Sequence, residues 1–374
     1  MARLGDVATY INGYAFKPTD WSDEGIPIIR IQDLTGNSYQ ANRFKGNYDA
    51  KYEVNCGDVL ISWSASLGVY VWTGEKAVLN QHIFKVQFDK VEVDKNFFVH
   101  QVERILNNAS GEAHGATMKH LTKPVFDSLP FYLPNIEEQK KIANELNKVS
   151  NLISLRKQQL SKLDELVKSR FIELFGDPIY NEKRWLTDSV ENVCSDIYGG
   201  GTPSKAHPEY YENGDIPWVS SKDMKSSILY DSQIRINQLG VDNSTAKIVP
   251  INSVIMVIRS GILKHTLPVA INAVPITVNQ DLKVFVPNQR ITSLFLMYLF
   301  KMLEKDILSG VRAVTADNIE FNSLKERMII VPPIDLQLEF VTFVEQIDKS
   351  KFEIQKSLEK LETLKKALMQ KYFG

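Results

Sequence analysis

Three short segments of the sequence contain residue types that enzymes use for chemistry. Residues 199–205, Gly-Gly-Gly-Thr-Pro-Ser-Lys, resemble a phosphate-binding loop in composition but lack the Gly-Lys pair of that motif. Residues 331–334, Val-Pro-Pro-Ile, have the two prolines of the turn that holds the target amine in amino-methyltransferases, without its polar and aromatic residues. We interpret the first segment as a Pro-stiffened loop and the second as the start of a helix.

Asp127, Glu138 and Lys140 have a spacing compatible with the carboxylate and lysine set of a metal-dependent nuclease. Glu138 and Lys140, however, fall at the start of a predicted long helix, where Glu138 serves as a cap. The two cysteines, Cys56 and Cys194, are far apart and predict neither a disulfide framework nor a zinc site. The six histidines form no close ligand pair of the H-x-x-x-H type: His82, His100, His114, His120, His207 and His265. The sequence predicts no catalytic residue, no metal site and no cofactor.

The composition predicts a globular protein of two or three units. The chain has 374 residues, of which 44% are hydrophobic and 24% charged, with a formal net charge of -1. Domains usually hold roughly 100–200 residues. The charge is neutral evidence about nucleic acid, because a basic face can be offset by acidic faces elsewhere. No signal-like N-terminus and no run of about 18 apolar residues occurs, so we expect a cytoplasmic protein without membrane contact.

The sequence contains an internal repeat. Residues 133–139 align with 331–337, and the same offset aligns Phe175-Gly176 with Phe373-Gly374 and Thr117 with Thr315. Leu336 and Leu338 stand at the positions of Glu138 and Lys140, which weakens the nuclease interpretation further. Further upstream, 57–61 aligns with 252–256 and 26–27 with 216–217, at smaller offsets. The second copy therefore carries extra residues in its N-terminal part, which we assign to loops.

Each copy is predicted to be a mixed α/β block followed by a long helix. The predicted strand regions of the first copy are 26–34, 58–64 and 77–88, with a helix at 93–108. Those of the second copy are 216–220, 252–258 and 277–286, with a helix near 292–308. We place the first block at 1–133, its helix at 134–180, the second block at 181–331 and its helix at 332–374.

The two long helices carry apolar residues at heptad spacing, which predicts a coiled coil. The apolar positions are Ile142, Leu146, Val149, Ile153, Leu160, Leu163, Val167 and Leu174 in the first helix, and Phe340, Val344, Ile347, Ile354, Leu358, Leu361, Leu368 and Tyr372 in the second. Arg156, Lys351 and Lys365 interrupt these seams at different places. Such interruptions favour antiparallel pairing of the two helices of one chain over self-pairing. The alternative is that these long side chains simply extend to water.

The order of motifs resembles the specificity subunits of Type I restriction-modification systems (the HsdS family) over essentially the whole chain. The motifs are Gly-Gly-Thr-Pro-Ser at 200–204, Asp-Ile-Pro-Trp-Val at 215–219 with Asp223, Asn279-Gln280 and Asn80-Gln81, Pro-Asn-Ile-Glu-Glu-Gln-Lys at 134–140, and Leu-Phe-Gly-Asp at 174–177. The first copy departs from this pattern, since Asn12-Gly13-Tyr14 stands where the second has the Gly-Gly-Thr-Pro-Ser loop.

The resemblance implies a non-catalytic, DNA-binding subunit with two target recognition domains, each reading one half of a split, asymmetric site. It also implies that the helices act as spacer and as docking surface for two methylation subunits, with restriction subunits in the full complex. The methylation partners would supply S-adenosylmethionine chemistry at adenine N6, and the restriction subunits would hydrolyse ATP and cut DNA. Two alternatives stay open: a scaffold protein whose coiled coil does not serve DNA binding, and an enzyme with a disguised site.

Polar and basic residues in predicted loops are the candidates for contact with double-stranded DNA. Base edges are usually contacted by Arg, Lys, Asn, Gln, Ser or Thr, and phosphates by Lys or Arg. The first-block candidates are Ser62, Trp63, Ser64, Asn80, Gln81, His82, Lys119 and His120. The second-block candidates are Thr202, Ser204, Lys205, Lys222, Arg259, Ser260, Lys264, His265, Asn279, Gln280 and Arg312. An ordinary turn is the alternative for each, Asn80-Gln81 and Asn279-Gln280 included.

Overall fold

The computed structural model describes residues 1–37, 42–111, 122–310, 312–313 and 317–374, with the side chains at 110–111, 312–313 and 317 left out. The chain forms two compact units. The first comprises 1–158 and 355–374, and the second comprises 159–354. Both divisions fall inside the long helices, Ile136–Phe175 and Ile334–Phe373. Each unit therefore contains one globular block together with a part of each helix.

The first block contains two four-stranded sheets. One is antiparallel, in the order Thr9–Asn12, Ile83–Gln87, Val59–Ser62, Gly68–Val71. The other is mixed, in the order Arg43–Phe44, Ile26–Ile29, Ala77–Leu79, Glu53–Val54. The remaining elements are the paired strands Ala2–Arg3 and Pro130–Phe131, the helices Leu4–Val7, Ile31–Leu34, Lys95–Gly111 and Lys123–Ser128, and the 3-10 turns Pro18–Asp20 and Ala50–Tyr52. Two sheets and their covering helix position the loops of this block.

The second block enlarges the same plan. Its main sheet has the order Cys194–Gly199, Leu282–Pro287, Val254–Val257, Val269–Asn272, Ile228–Leu229, and a smaller sheet has the order Arg235–Ile236, Ile216–Val219, Thr277–Val278. Two further pairs join Thr187–Ser189 to Met328–Ile330 and Arg312–Ala313 to Asp317–Asn318. Its helices are Gln238–Asp242, Ser293–Met302, Glu304–Ser309 and Phe321–Glu326, with 3-10 turns at Glu191–Val193, Pro208–Tyr210 and Gly261–Lys264.

The repeat found in the sequence is also a repeat of strand pairing. Ile29 pairs with Leu79 in a parallel ladder, and Val219 pairs with Val278 in the corresponding ladder of the second block. This confirms the predicted mixed α/β class with two similar blocks. The main sheet of the second block has one more strand than its counterpart, which is part of the extra length that the alignment assigned to loops.

Four predicted elements differ from the structure. The strand region 26–34 ends at Ile29, and residues 31–34 turn into a short helix because the Asp33 carboxylate accepts the Arg30 N–H at 2.8 Å. The regions 77–88 and 277–286 each divide into two strands around a turn. The helix near 292–308 breaks at Leu303. Local side-chain capping and tight turns decided these boundaries, which periodicity does not detect.

The long helices begin and end where local chemistry predicts. The Asn135 side chain accepts the Glu138 N–H at 2.9 Å and caps the first helix, whereas the Glu138 carboxylate, which the sequence analysis took as the cap, accepts the Tyr132 hydroxyl. Gly176 ends that helix in the left-handed region, at φ 76°, and donates its N–H to Ile172 at 2.8 Å. Among the described residues, no helix is long and apolar enough to cross a membrane.

Contacts within each unit show that the two long helices pair antiparallel, as predicted. In the first unit Lys157 contacts Glu362 at 3.1 Å, and the Tyr372 hydroxyl donates to Glu145. In the second unit Arg170 contacts Glu339 at 2.5 Å and Lys351 contacts Asp164 at 2.5 Å. Residue numbers rise along one helix as they fall along the other.

A buried glutamine joins each block to the start of a long helix. The Gln139 side chain accepts the Asp94 N–H at 2.9 Å and donates to the Pro134 carbonyl at 2.8 Å. Gln337 does the same with the Thr292 N–H, at 2.8 Å, and donates to the carbonyls of Pro332 and Arg290 at 2.9 and 3.0 Å. Both glutamines belong to the aligned segments 133–139 and 331–337, so the repeat preserves this anchor.

We expect Gln337→Leu to lower the free energy of unfolding by about 1–3 kcal/mol, because it leaves a buried backbone N–H and two carbonyls without this partner. Urea denaturation followed by circular dichroism measures the loss. Gln346→Leu is the matched control, since Gln346 is exposed on the same helix. Equal stability of the two variants would contradict the anchoring role.

Candidate nucleic-acid interface

The glycine loop of the second block lies against the turn that follows strand Thr277–Val278. Gly201 donates its N–H to the Val278 carbonyl at 3.0 Å. A Cβ atom at Gly200 would stand 2.0 Å from the Val278 carbonyl oxygen, so only glycine permits this approach. The Thr202 hydroxyl donates to the Gln280 side chain. The structure thus brings together two segments that the sequence analysis selected separately.

The turn itself separates an inward residue from an outward one. Asn279 is buried, and its amide donates to the Asp281 carboxylate at 3.1 Å. Asp281 also accepts Arg259 Nε at 2.7 Å. Gln280, between them, is exposed. Asn279 and Arg259 therefore shape the turn, and Gln280 presents a free face to solvent next to Thr202.

Three neighbouring segments extend this surface. The Asn279 N–H donates to the Val219 carbonyl at 2.9 Å. This bond places the turn 220–223, with its exposed Lys222, beside Asn279. Arg259 forms a strand bridge with Asn318, next to the ribbon that contains Arg312. Ser260 caps the 3-10 turn Gly261–Lys264, which His265 follows. Exposed side chains on these segments are Thr202, Ser204, Lys205, Lys222, Lys264, His265 and Gln280; the side chain of Arg312 lies outside the described ones.

Sequence reasoning missed two basic residues at the same edge. Lys283 Nζ lies 4.3 Å from the centre of the Phe321 ring, and burial together with the charge of Arg259 lowers the pKa of Lys283. Lys247 Nζ lies 5.4 Å from the ring centre of Tyr198. Lys283 was detectable as the lone cation inside an apolar strand, whereas Lys247 reaches the loop only through the folding of 245–246 against Gly201.

In the first block, Trp63 lies at the centre of the predicted set. Its Nε1 donates to the Asn12 side chain at 3.2 Å, and its ring centre lies 4.9 Å from that of His82. Ser62 and Ser64 are buried, and the Ser62 hydroxyl donates to the Ser66 carbonyl. The two serines thus stabilise the loop and do not present side chains to solvent.

The segment Asn12-Gly13-Tyr14 occupies the position of the glycine loop. A Cβ atom at Gly13 would stand 2.0 Å from the Asn80 carbonyl oxygen, and Tyr14 donates its N–H to Leu79 at 2.8 Å. Tyr14 is exposed, with its ring centre 5.6 Å from that of Tyr52. The loop geometry is therefore kept while the side chains change, and Asn12 and Tyr14 are candidates that the sequence analysis missed.

The turn 80–82 completes this surface. The Asn80 side chain accepts the Gln81 N–H at 2.8 Å, which is an ordinary turn interaction, and His82 has a positive φ of 73°. Gln81 and His82 are partly exposed. Lys119 and His120 lie outside the described residues.

The residues considered for nuclease chemistry have structural partners. Asp127 pairs with Lys123 at 2.6 Å, and Glu138 accepts the Tyr132 hydroxyl at 3.1 Å. Within the described ranges no group of three or more His, Cys, Asp or Glu side chains could hold a metal ion. The sites of both blocks are polar and aromatic surfaces, suited to binding.

Comparison with known proteins identifies the kind of protein that has this repeat. A family model described as the Type I restriction modification DNA specificity domain matches residues 1–165 and 183–366. The specificity subunit of the EcoR124I/EcoR124II restriction enzyme of Escherichia coli is 37% identical over 153 residues, which is 40% of this chain and 38% of the relative. The EcoBI specificity subunit of the same organism is 22% identical over 99% of this chain and 84% of its own length.

Solved structures show the same fold. The crystal structure of a Type I restriction-modification S subunit from M. genitalium aligns with a TM-score of 0.58 at 15% identity, over 100% of this chain and 95% of that one. A chain from a structural study of the assembly and conformational transition of the Type I system aligns with a TM-score of 0.56 at 16% identity, over 100% and 96%.

Proposed function

This chain belongs to the Type I restriction-modification DNA specificity subunits, and on that basis we propose that its two blocks read the two halves of one split, asymmetric DNA site. The observation that carries the proposal is the shared loop geometry at Gly13 and Gly200 with different side chains around it. An asymmetric site requires two different reading surfaces, whereas a symmetric dimer reads a symmetric site.

Family membership confirms three predictions from the sequence. The chain is a DNA-specificity subunit with two recognition domains, it is non-catalytic, and the scaffold alternative is not favoured. Chemistry therefore belongs to other subunits of such a system.

We assign the recognition domains to 1–133 and 181–331 and the spacer segments to 134–180 and 332–374, which contain the long helices Ile136–Phe175 and Ile334–Phe373. A helix of 40 residues, the length of each long helix, extends about 60 Å at about 1.5 Å per residue. On this assignment the helices act as the spacer that leaves an unread gap between the half-sites.

Within each surface, exposed side chains are assigned to contacts. In the second block Gln280, Thr202 and Ser204 suit base edges, and Lys205 and Lys222 suit phosphates. Lys264, Ser260, His265 and Arg312 extend this set, while Asn279 and Arg259 position it. In the first block we assign Gln81, His82 and Trp63, together with Tyr14, and Lys119 and His120 stay proposed contacts.

The first test co-expresses the chain with a methylation subunit and maps N6-methyladenine in the host genome. We expect a two-part motif with an unread gap. Replacement of residues 1–133 by the corresponding block of a relative should change one half of the motif and leave the other half and the gap unchanged. A continuous motif, or a change in both halves, would contradict the two-surface proposal.

Single residues should separate base reading from phosphate binding. Gln280→Ala should relax the preference at one position of one half-site, with a loss of about 1–3 kcal/mol for the correct base. Lys205→Ala should weaken binding to all sequences and reduce the salt dependence by about one phosphate contact. Titration of the assembled methylation complex with variant duplexes at several salt concentrations measures both. A change in salt dependence for Gln280→Ala, or a change in base preference for Lys205→Ala, would exclude these roles.

Two equivalent leucines support the docking of two methylation subunits on the helices. Leu166 and Leu364 occupy equivalent positions of the repeat, and both are 46% exposed. Leu166 belongs to the second unit and Leu364 to the first. Exposed apolar residues at equivalent places suit two copies of one partner.

We expect Leu364→Asp and Leu166→Asp each to remove one methylation subunit from the complex, and the double variant to remove both. A charge placed in an apolar contact leaves an unpaired, desolvated carboxylate. Native mass spectrometry counts the subunits. Leu186→Asp is the control, because Leu186 is an exposed loop residue outside the helices; this variant should retain both methylation subunits. Retention of both subunits by the double variant would exclude this surface.

A further inference from the structure

One aromatic contact between block and helix end recurs in both units. In the first unit the rings of Phe97 and Phe373 lie 5.4 Å apart, and in the second unit those of Phe295 and Phe175 lie 4.7 Å apart. The repeat equates Phe97 with Phe295 and Phe373 with Phe175. These contacts therefore do not distinguish the end of one long helix from the end of the other.

The charged contact beside this apolar one does distinguish them. In the first unit Glu103, on helix Lys95–Gly111, contacts Lys365 of the second long helix, with Lys365 Nζ 3.0 and 3.2 Å from the two carboxylate oxygens. A hydrogen bond with His100 and the charge of Lys365 lower the pKa of Glu103. The acid is thus on the block and the base is on the helix.

The second unit has the opposite sign at the equivalent place. Lys301, on helix Ser293–Met302, takes the position of Glu103 and donates to the Ser227 hydroxyl at 2.6 Å. It lines a cavity of about 240 Å³ together with Asp164, Asp348 and Lys351. Burial and the charge of Lys351 lower the pKa of Lys301 to about 8, while both carboxylates act in the opposite direction. Here the base is on the block and the acids are on the helices.

We propose that this inversion selects the helix partner: it pairs the first long helix with the second long helix of the same chain and disfavours pairing with a second copy. In the repeat, the first long helix has Val167 where the second has Lys365, and Asp164 where the second has Glu362. If two first helices paired, Glu103 would lose its lysine and would meet Val167 of a second copy instead, while Asp164 of that copy would keep an acid in the place of Glu362.

Pairing of two second helices would be unfavourable for the complementary reason. Lys365 of a second copy would take the place of Val167, next to the half-buried Lys301 and to Lys351. Like charges brought together in a partly desolvated contact repel strongly. Together with Arg156 and Lys351, which interrupt the heptad seams at different places, these charges supply a difference in free energy between own-chain pairing and self-pairing. On the proposed function, a self-paired product would carry two identical blocks and read a symmetric site.

The test uses the complete folded chain with a protease site inserted after Tyr180, an exposed residue of the loop that follows the first long helix. After cleavage and prolonged incubation, native mass spectrometry measures whether N-terminal (N) and C-terminal (C) pieces stay as N·C or redistribute to N·N and C·C. The unmodified sequence should stay N·C. A statistical mixture would overturn the proposal.

Glu103→Lys is the decisive variant. The introduced lysine opposes Lys365 within the chain, whereas in N·N it meets the uncharged Val167 of a second copy and has Asp164 of that copy in the place of Glu362, so N·N should become the main species of the N piece. Glu103→Lys combined with Lys365→Glu should return N·C. A role in stability alone predicts a weaker N·C complex, without N·N, and that result would overturn the proposal.

Two further variants keep the test informative. Glu24→Lys makes the same charge change at an exposed ion pair with Lys45, 2.6 Å apart within the first block, and should leave N·C unchanged. Asp164→Lys changes an exposed side chain and supplies a lysine for Glu103 of a second copy, so it should also give N·N. If Glu103→Lys fails to fold, absence of N·N in Asp164→Lys overturns the proposal by itself.

Discussion

The buried glutamine at the start of each long helix is the contact on which the rest of the structure depends. A polar side chain without exposure must satisfy its hydrogen bonds inside the protein, and Gln139 and Gln337 do so with backbone groups of the adjoining block. Each bond fixes the first turn of the helix against the strand-to-helix connection of its block. The block helix and the apolar residues of the long helices then form one core in each unit.

Because the backbone of each block is held in this way, the side chains of the exposed loops can differ between the blocks. Gly13 and Gly200 permit the same close approach of backbone to the strand-end turn. The residue after Gly13 is the exposed Tyr14, whereas a Cβ atom at Gly201 would stand 2.3 Å from the Ala246 nitrogen. At this loop the first block exposes Tyr14 with its aromatic neighbours, and the second block exposes Thr202 with Gln280. Different side chains on equal backbones are what two different half-sites require, and substitutions there disturb no core residue.

The sequence predicted the features that repeat with a period and missed those made by strand pairing. The heptads predicted both long helices, and the aligned Gln139 and Gln337 segments predicted two equivalent blocks. Ser62 and Ser64 were selected as contacts to DNA, yet Ser62 ends a buried strand and both side chains are buried. Asn279 was selected with Gln280, although adjacent residues of a turn face opposite directions. Tyr14 and Lys247 could not be found from local pattern, because strands distant in sequence bring them to the surface.

The charged residues that interrupt the heptad seams lower stability, but they also determine which helices pair. Burying Lys301 costs desolvation free energy, and a buried ion pair is seldom more stable than an apolar pair of the same shape. An apolar residue at Lys301 and at Lys365 would, however, remove the charge difference between the two block-to-helix contacts. Charges of opposite sign at equivalent places supply this difference, since a wrong pairing brings like charges together. The coil thus gives up some stability for a defined partner, and a defined partner is the condition for joining two different reading surfaces at one spacing.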